Sequence, residues 1–180
     1  MRPDWNHIIR DDWSLMLDRD GVINRRIVDG YVTSWDVFEW LPGVLDALEI
    51  FSQRFRHILI VTNQQGVGKG LMSMEQLEAI HDKMCAAIEA HRGRIDGILV
   101  CPQLASEPGN YRKPNPDMAW MAREIYPDLD LSHCVMIGDG LSDMEFGRRA
   151  GTKTIFIGEE NPGADDYFSS ILEFANLLKQ

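Results

Sequence analysis

The sequence predicts an α/β fold, an open parallel sheet with helices packed on both faces. Two observations point there. Short apolar runs alternate with longer segments of helical period through most of the 180 residues. The clearest run, HILIVT at 57–62, is continuous and β-branched, as suits a strand covered on both faces. No repeat, low-complexity tract or long linker interrupts the alternation. A length near the usual one-domain range then makes 1–180 a single domain, with 1–12 as a short polar N-terminal extension.

In chain order, residues 15–17 (LML) read as the first strand and 42–51 as a helix with Val44, Leu45, Leu48 and Phe51 apolar. Residues 57–62 form the second strand. Ser73 and Gln76 fit a capping box, with Leu77, Ile80, Met84 and Ile88 at helical spacing behind them. Residues 97–101 read as a strand. Asn115 and Pro116 read as an N-cap and a first-turn proline leading a helix to about Tyr126. A strand at 135–137, a helix at 142–149, a last strand at 154–157 and a closing helix at 171–178 complete the pattern. The least regular stretches are 24–41, 102–114 and 159–168.

Composition narrows the function classes. A net charge of -10 opposes extensive contact with a nucleic-acid backbone, so no nucleic-acid partner is expected, although a small phosphorylated ligand needs only a few local cations. No apolar run nears the roughly 20 residues needed to span a bilayer, and the polar start MRPDWNHIIRDDW is no signal peptide. Three cysteines without a CxxC pair fit a reducing compartment. A cytoplasmic protein without a membrane partner is expected.

Ligands in open parallel sheets bind at the carboxyl ends of strands. There the sequence places Asp18 and Asp20 after LML, Thr62 and Asn63 after HILIV, Cys101, and Asp139 and Asp143 after VMIG. Oxygen ligands converging from two strand ends suit a hard cation such as magnesium, and crowded carboxylates without one repel each other. A hydroxyl, an amide, the loop cation Lys113 and a metal are the groups that grip a phosphoryl. One carboxylate can attack phosphorus while its neighbour serves as general acid and base.

The ordered set LDRDGVIN, VTNQQGVGKG, YRKPNPDM and VMIGDGLSD resembles the haloacid dehalogenase superfamily of phosphotransferases, from about Leu15 to Ile157. Within it, GYVTSWDVFEWLPGVLDAL and TNQQGVGKG resemble the group of histidinol-phosphate and D-glycero-D-manno-heptose 1,7-bisphosphate phosphatases, the heptose enzymes more closely. The resemblance implies a Rossmann-like fold without a large cap domain, and hydrolysis of a small sugar phosphate through an aspartyl phosphate. It implies Asp18 as nucleophile and Asp20 as acid/base. Magnesium would be held by Asp18, the Asp20 carbonyl and Asp139. Thr62, Asn63 and Lys113 would hold the phosphoryl group, Arg112 the substrate, and Asp143 would support the metal site from behind its ligands or through Lys113. Members commonly carry a structural zinc before RKP. Here Cys101-Pro102-Gln103 is followed by no histidine or further cysteine before Arg112, so no structural zinc is expected.

Competing readings are specific. QQGVGKG lacks the glycine and hydroxyl positions of a P-loop and reads as a flexible turn near the phosphate pocket. Asp128 and Asp130 read as a solvated loop, His81 as a partly exposed helix residue, and Trp35, Phe38 and Trp40 as packing more than pocket lip. Histidinol phosphate, a nucleic-acid 3'-phosphate and a non-catalytic phospho-ligand binder are the alternatives to a sugar bisphosphate.

Overall fold

The structure is a computed structural model that describes residues 2–160 and 163–179. Six strands form one sheet: β1 (Ser14–Leu17), β2 (Ile58–Asn63), β3 (Gly97–Cys101), β4 (Cys134–Gly138), β5 (Lys153–Ile157) and β6 (Asp166–Phe168). Their order is β3-β2-β1-β4-β5-β6 and every pairing is parallel. The helices are α1 (Trp5–Ile8), α2 (Val44–Arg54), α3 (Gln65–Gly68), α4 (Met74–Ala90), α5 (Asp117–Ile125), α6 (Leu141–Ala150) and α7 (Ile171–Leu177).

The two-residue period of a strand sends successive side chains to opposite faces, and the sequence of the central strands is apolar on both. Leu15, Leu17, Ile58, Ile60, Val135 and Ile137 join one core, closed by Leu48 and Phe51 of α2, Met84 and Ile88 of α4, and Phe174 of α7. Met16, Leu59, Val61 and Met136 enter a second core against Met118 and Ala122 of α5 and Phe146 of α6. Burying each of the larger side chains contributes about 1.5–3 kcal/mol. Cys85 packs at the edge of the first core and Cys134 is buried in the second, as packing residues. The expected capping box forms: Ser73 Oγ accepts from Gln76 N–H and Gln76 Oε1 from Ser73 N–H, at 3.2 and 2.8 Å.

Strand order reverses at β1. Its chain successor β2 lies on one side and β4 on the other, with Leu17 paired to Ile60 and Ile137. Loops leaving β1 and β4 therefore diverge and open a crevice above their carboxyl ends. The residues directly after those strands are Asp18 and Asp139.

The fold departs from the sequence reading in several places. Of the expected extension 1–12, residues 2–12 pack on the domain. Trp5 of α1 is buried against Phe174, Ile9 is buried beside it, and the Trp5 indole N–H donates to Asp166 Oδ2 at 2.8 Å. The stretch 159–168, of which 161 and 162 lie outside the described residues, ends in the edge strand β6. Three residues carrying an aspartate give too little period to read, and β6 is fixed by tertiary contacts: Trp5 and Arg2 on Asp166, and pairing with β5. The residue capping α5 is Pro116, one position later than expected. Gln65 to Gly68 form a helical turn, and Gly68 sits so close to the Pro102 carbonyl that a Cβ there would lie 2.5 Å from it.

Among the described residues no helix is long and apolar enough to cross a membrane. Trp35, Phe38 and Trp40 stack and cross with centroids 4.7–6.4 Å apart and pack on the first core. Asp128 pairs with Arg56 and His57, and Asp130 accepts from the Ser132 N–H at the start of a 3-10 turn.

Trp5→Ala should destabilise the protein by about 3–5 kcal/mol, the range for deleting a buried tryptophan. Trp5→Phe should lose about 1–3 kcal/mol, because Asp166 keeps Arg2 but loses the indole donor. Urea denaturation of both variants checks this; a loss under 1 kcal/mol for Trp5→Ala would return residues 1–12 to the status of an extension.

Candidate active site

Asp18 leaves β1 with its N–H donating to the Ile137 carbonyl of β4 at 2.9 Å, which fixes the carboxylate in the crevice. It is buried, 6% exposed. Lys113 reaches in from the loop before α5. Its Nζ donates to the Val61 carbonyl at 2.8 Å and ion-pairs with Asp18 Oδ1 at 2.9 Å and Asp143 Oδ1 at 2.7 Å. Both acids and the lysine are almost wholly buried, so solvent barely weakens these contacts. Burial alone would lower the Lys113 ammonium, but Asp143 and Asp18 outweigh it and hold the lysine charged. Burial lifts Asp18 to about 6; Lys113 opposes that shift, while Asp143 and Asp20 add to it.

Asn63 holds the lysine loop from β2: its amide nitrogen donates to the Lys113 carbonyl at 3.1 Å and its oxygen accepts the Lys113 N–H at 2.9 Å. Thr62 Oγ1 accepts from Gln64 Nε2 at 2.9 Å. Arg112 Nη1 donates to Gln65 Oε1 at 2.9 Å on the same rim. Asp143, in the first turn of α6, accepts the Gly140 N–H at 3.0 Å and turns its other oxygen to Lys113.

Asp20 faces a different set. Arg19 Nη2 contacts both its oxygens at 3.0 Å, and Asn24 and Gln64 each donate one bond at 2.8 Å. Burial would raise this carboxyl, but the Arg19 charge and the three donors hold it below the usual carboxylate range. Arg19 itself is fully buried. Its Nη1 lies 3.1 Å from His81 Nε2, a contact in which the ring accepts and is therefore neutral. His81, expected to be partly exposed, is buried at 6%; helical position alone could not show that a buried arginine lies beneath it. Burial and then the Arg19 charge lower its pKa to about 4.

Asp18, Asp139 and Asp143 each offer an oxygen within 4.8 Å of the others. With the Asp20 carbonyl this is an all-oxygen donor set, which suits magnesium. That the cradle attracts cations is visible directly: Arg26 Nη2 lies 2.6 Å from Asp139 Oδ1, 3.1 Å from the Asp20 carbonyl and 3.8 Å from Asp18 Oδ2. Two glycines make the cradle possible. Gly21 has φ +94°, and a Cβ there would lie 1.9 Å from Asp139 Oδ2; a Cβ on Gly138 would lie 2.2 Å from Asp143 Cβ. The site opens into a cavity of about 600 Å³ lined by Asp18, Asp20, Arg26, Tyr31, Lys69 and Arg112, among others.

The crevice brings together Asp18, Asp20, Asn63, Arg112, Lys113, Asp139 and Asp143; Thr62 joins it through Gln64, and Cys101 packs in the second core instead. Sequence reasoning missed Arg19, Asn24, Arg26, Gln64 and Lys69. Arg19 and Gln64 adjoin motif residues, the one signal available for them. Residues 102–112, where a zinc loop was not expected, are tied by Glu107 accepting from the Leu104 N–H at 2.8 Å and Gln103 accepting from the Tyr111 N–H at 3.1 Å.

Gly21→Ala should cut turnover at least tenfold by displacing the Asp139 carboxylate, while circular dichroism shows the sheet retained; unchanged turnover would remove Asp139 from the site. His81 supplies a pH prediction. Its folded pKa lies below the unfolded value of about 6.5, so its contribution is present above pH 6.5 and lost as pH falls toward 4. That loss is about 3 kcal/mol, and His81→Gln should remove it from the stability profile measured by denaturation between pH 7 and 4.

Comparison with known proteins places the chain. A family model described as HAD-hyrolase-like matches residues 110–170. The D-glycero-alpha-D-manno-heptose-1,7-bisphosphate 7-phosphatase of Mycobacterium tuberculosis is 40% identical over 172 residues, 91% of this chain and 90% of the relative. The beta-anomer 7-phosphatase of Bordetella bronchiseptica is 37% identical over 137 residues, 76% and 75% of the two chains. A crystal structure of the D,D-heptose 1,7-bisphosphate phosphatase from B. bronchiseptica, complexed with magnesium and phosphate, superposes with a TM-score of 0.83 at 31% identity, covering 92% of this chain and 97% of that one. With relatives at this identity along nearly its whole length, the chain belongs to the same family as these heptose-1,7-bisphosphate 7-phosphatases, within the haloacid dehalogenase superfamily.

Proposed function

We propose that this phosphatase hydrolyses the 7-phosphate of D-glycero-D-manno-heptose 1,7-bisphosphate, with magnesium, through a phosphorylated Asp18. The observation that carries the reading is the convergence of the Asp18 carboxylate, the Lys113 ammonium and an all-oxygen cradle on one crevice. Above it lies a cavity of about 600 Å³ with Lys69 and Arg112 on its wall, room for a sugar and for cations to meet a second phosphate.

In this mechanism an Asp18 oxygen attacks phosphorus and the bond to the sugar oxygen breaks. Lys113 neutralises the phosphoryl oxygens, and bound magnesium supplies further charge stabilisation and alignment. Asp18, Asp139 and the Asp20 carbonyl are the ligands we assign to the metal, with Asp143 holding Lys113. Asp20 protonates the leaving sugar oxygen, then takes a proton from the water that attacks the aspartyl phosphate. Its three donors favour the carboxylate, the form that takes the proton from the attacking water; donation to the sugar oxygen uses the protonated form. Thr62 and Asn63 hold the edge of the phosphoryl pocket, Asn63 by fixing Lys113, and Arg112 meets the substrate. Cys85, Cys101 and Cys134 are free, which supports a reducing cytoplasmic setting.

Phosphate release should be measured with magnesium and with EDTA on both anomers of the heptose bisphosphate, on histidinol phosphate and on a 3'-phosphorylated oligonucleotide. Magnesium-dependent release from a heptose anomer is expected; release from another substrate alone would replace the substrate and keep the chemistry. Asp18→Asn should abolish turnover. Asp20→Asn should slow both phosphoryl transfer and its release by about 10²–10⁴-fold, the usual worth of a positioned acid or base. Single-turnover kinetics at wild-type rate would end the acid/base assignment.

A further inference from the structure

We propose that Arg26 is an exchangeable counter-ion of the metal cradle, balancing its carboxylates until a divalent cation displaces the guanidinium into the cavity. The inference rests on the magnesium reading above and adds a device that regulates it.

One nitrogen, Arg26 Nη2, meets Asp139 Oδ1, the Asp20 carbonyl and Asp18 Oδ2 at 2.6, 3.1 and 3.8 Å. Those three oxygens come from two strand ends, and they are the ones assigned to the metal. A guanidinium nitrogen and a metal ion cannot share that point. The neighbouring Arg25 instead pairs with Glu39 at the surface, at 3.0 Å, so of these two arginines it is Arg26 that meets the cradle.

The two cations of the site are held differently. Lys113 is 2% exposed and bonded to the Val61 carbonyl in the sheet, so it is fixed. Arg26 is 52% exposed, sits in the irregular segment after β1, and among the described residues has only cradle oxygens as polar partners. It can withdraw without breaking a strand. Exchange replaces one positive charge by two next to three carboxylates, and the bound ion then repels the guanidinium. Arginine does not deprotonate near neutral pH, so the metal must compete with it across the working range. Arg26 lines the same cavity as Lys69 and Arg112, so its release into that space would bring a further cation toward a substrate anion.

A competitor and a positioning residue give opposite signs. Metal-free full-length wild type, R26Q, R26M and D139N should be titrated with magnesium chloride by calorimetry and melted in EDTA. If Arg26 competes, both Arg26 variants bind magnesium about tenfold more tightly, within the usual range of coupling between sites. They also melt lower in EDTA, because the carboxylates have lost their counter-ion. Equal or weaker magnesium binding by both folded variants overturns the proposal. A wild type that binds no magnesium, or a D139N that binds it as well as wild type, overturns the metal reading itself and the exchange with it.

Discussion

A single buried ammonium organises the upper half of this molecule. Lys113 sits between Asp18 and Asp143 at under 3 Å and donates to a carbonyl of β2. Each carboxylate would be costly to bury alone. Together with the lysine they are tolerated, and the lysine in turn draws the loop before α5 down onto the sheet. Removing one partner leaves the others uncompensated, so the ends of β1 and β4, the start of α6 and the 113 loop behave as one unit.

A second buried cation repeats the arrangement below Asp20. Arg19 is wholly enclosed and fans out to Asp20, Gln64 and His81. The two aspartates are two residues apart yet face different surroundings. Asp18 is lifted by burial and crowding, whereas Asp20 is held down by an arginine and two amides. The difference in proton affinity follows from burial of Asp18, which Lys113 only partly offsets, and from the Arg19 charge and the amide donors around Asp20.

The backbone permits this crowding through small residues. Gly21 and Gly138 stand where any Cβ would strike Asp139 or Asp143. The glycine in LDRDG is therefore both a turn residue and the space into which a carboxylate from another strand fits. On the far edge, Trp5 and Arg2 close on Asp166 and fasten the short strand β6. Without that contact the sheet edge beyond β5 would stay open.

The sequence by itself determined the layers of the fold. Continuous apolar strands and amphipathic helices declare burial on two faces and on one, because side-chain period is a local property of the backbone. It also determined the candidate acids, because their position after each strand follows from the same period, and it offered Lys113 as a cation in the loop before a helix. What only the tertiary structure decided is how polar and charged groups pair over long sequence separation: Arg26 with Asp139, Arg19 with His81, Trp5 with Asp166. A buried and a solvated arginine look alike in sequence. Coulomb energy depends on distance and surroundings, and for residues far apart in the chain both are set only when the sheet brings its strand ends together.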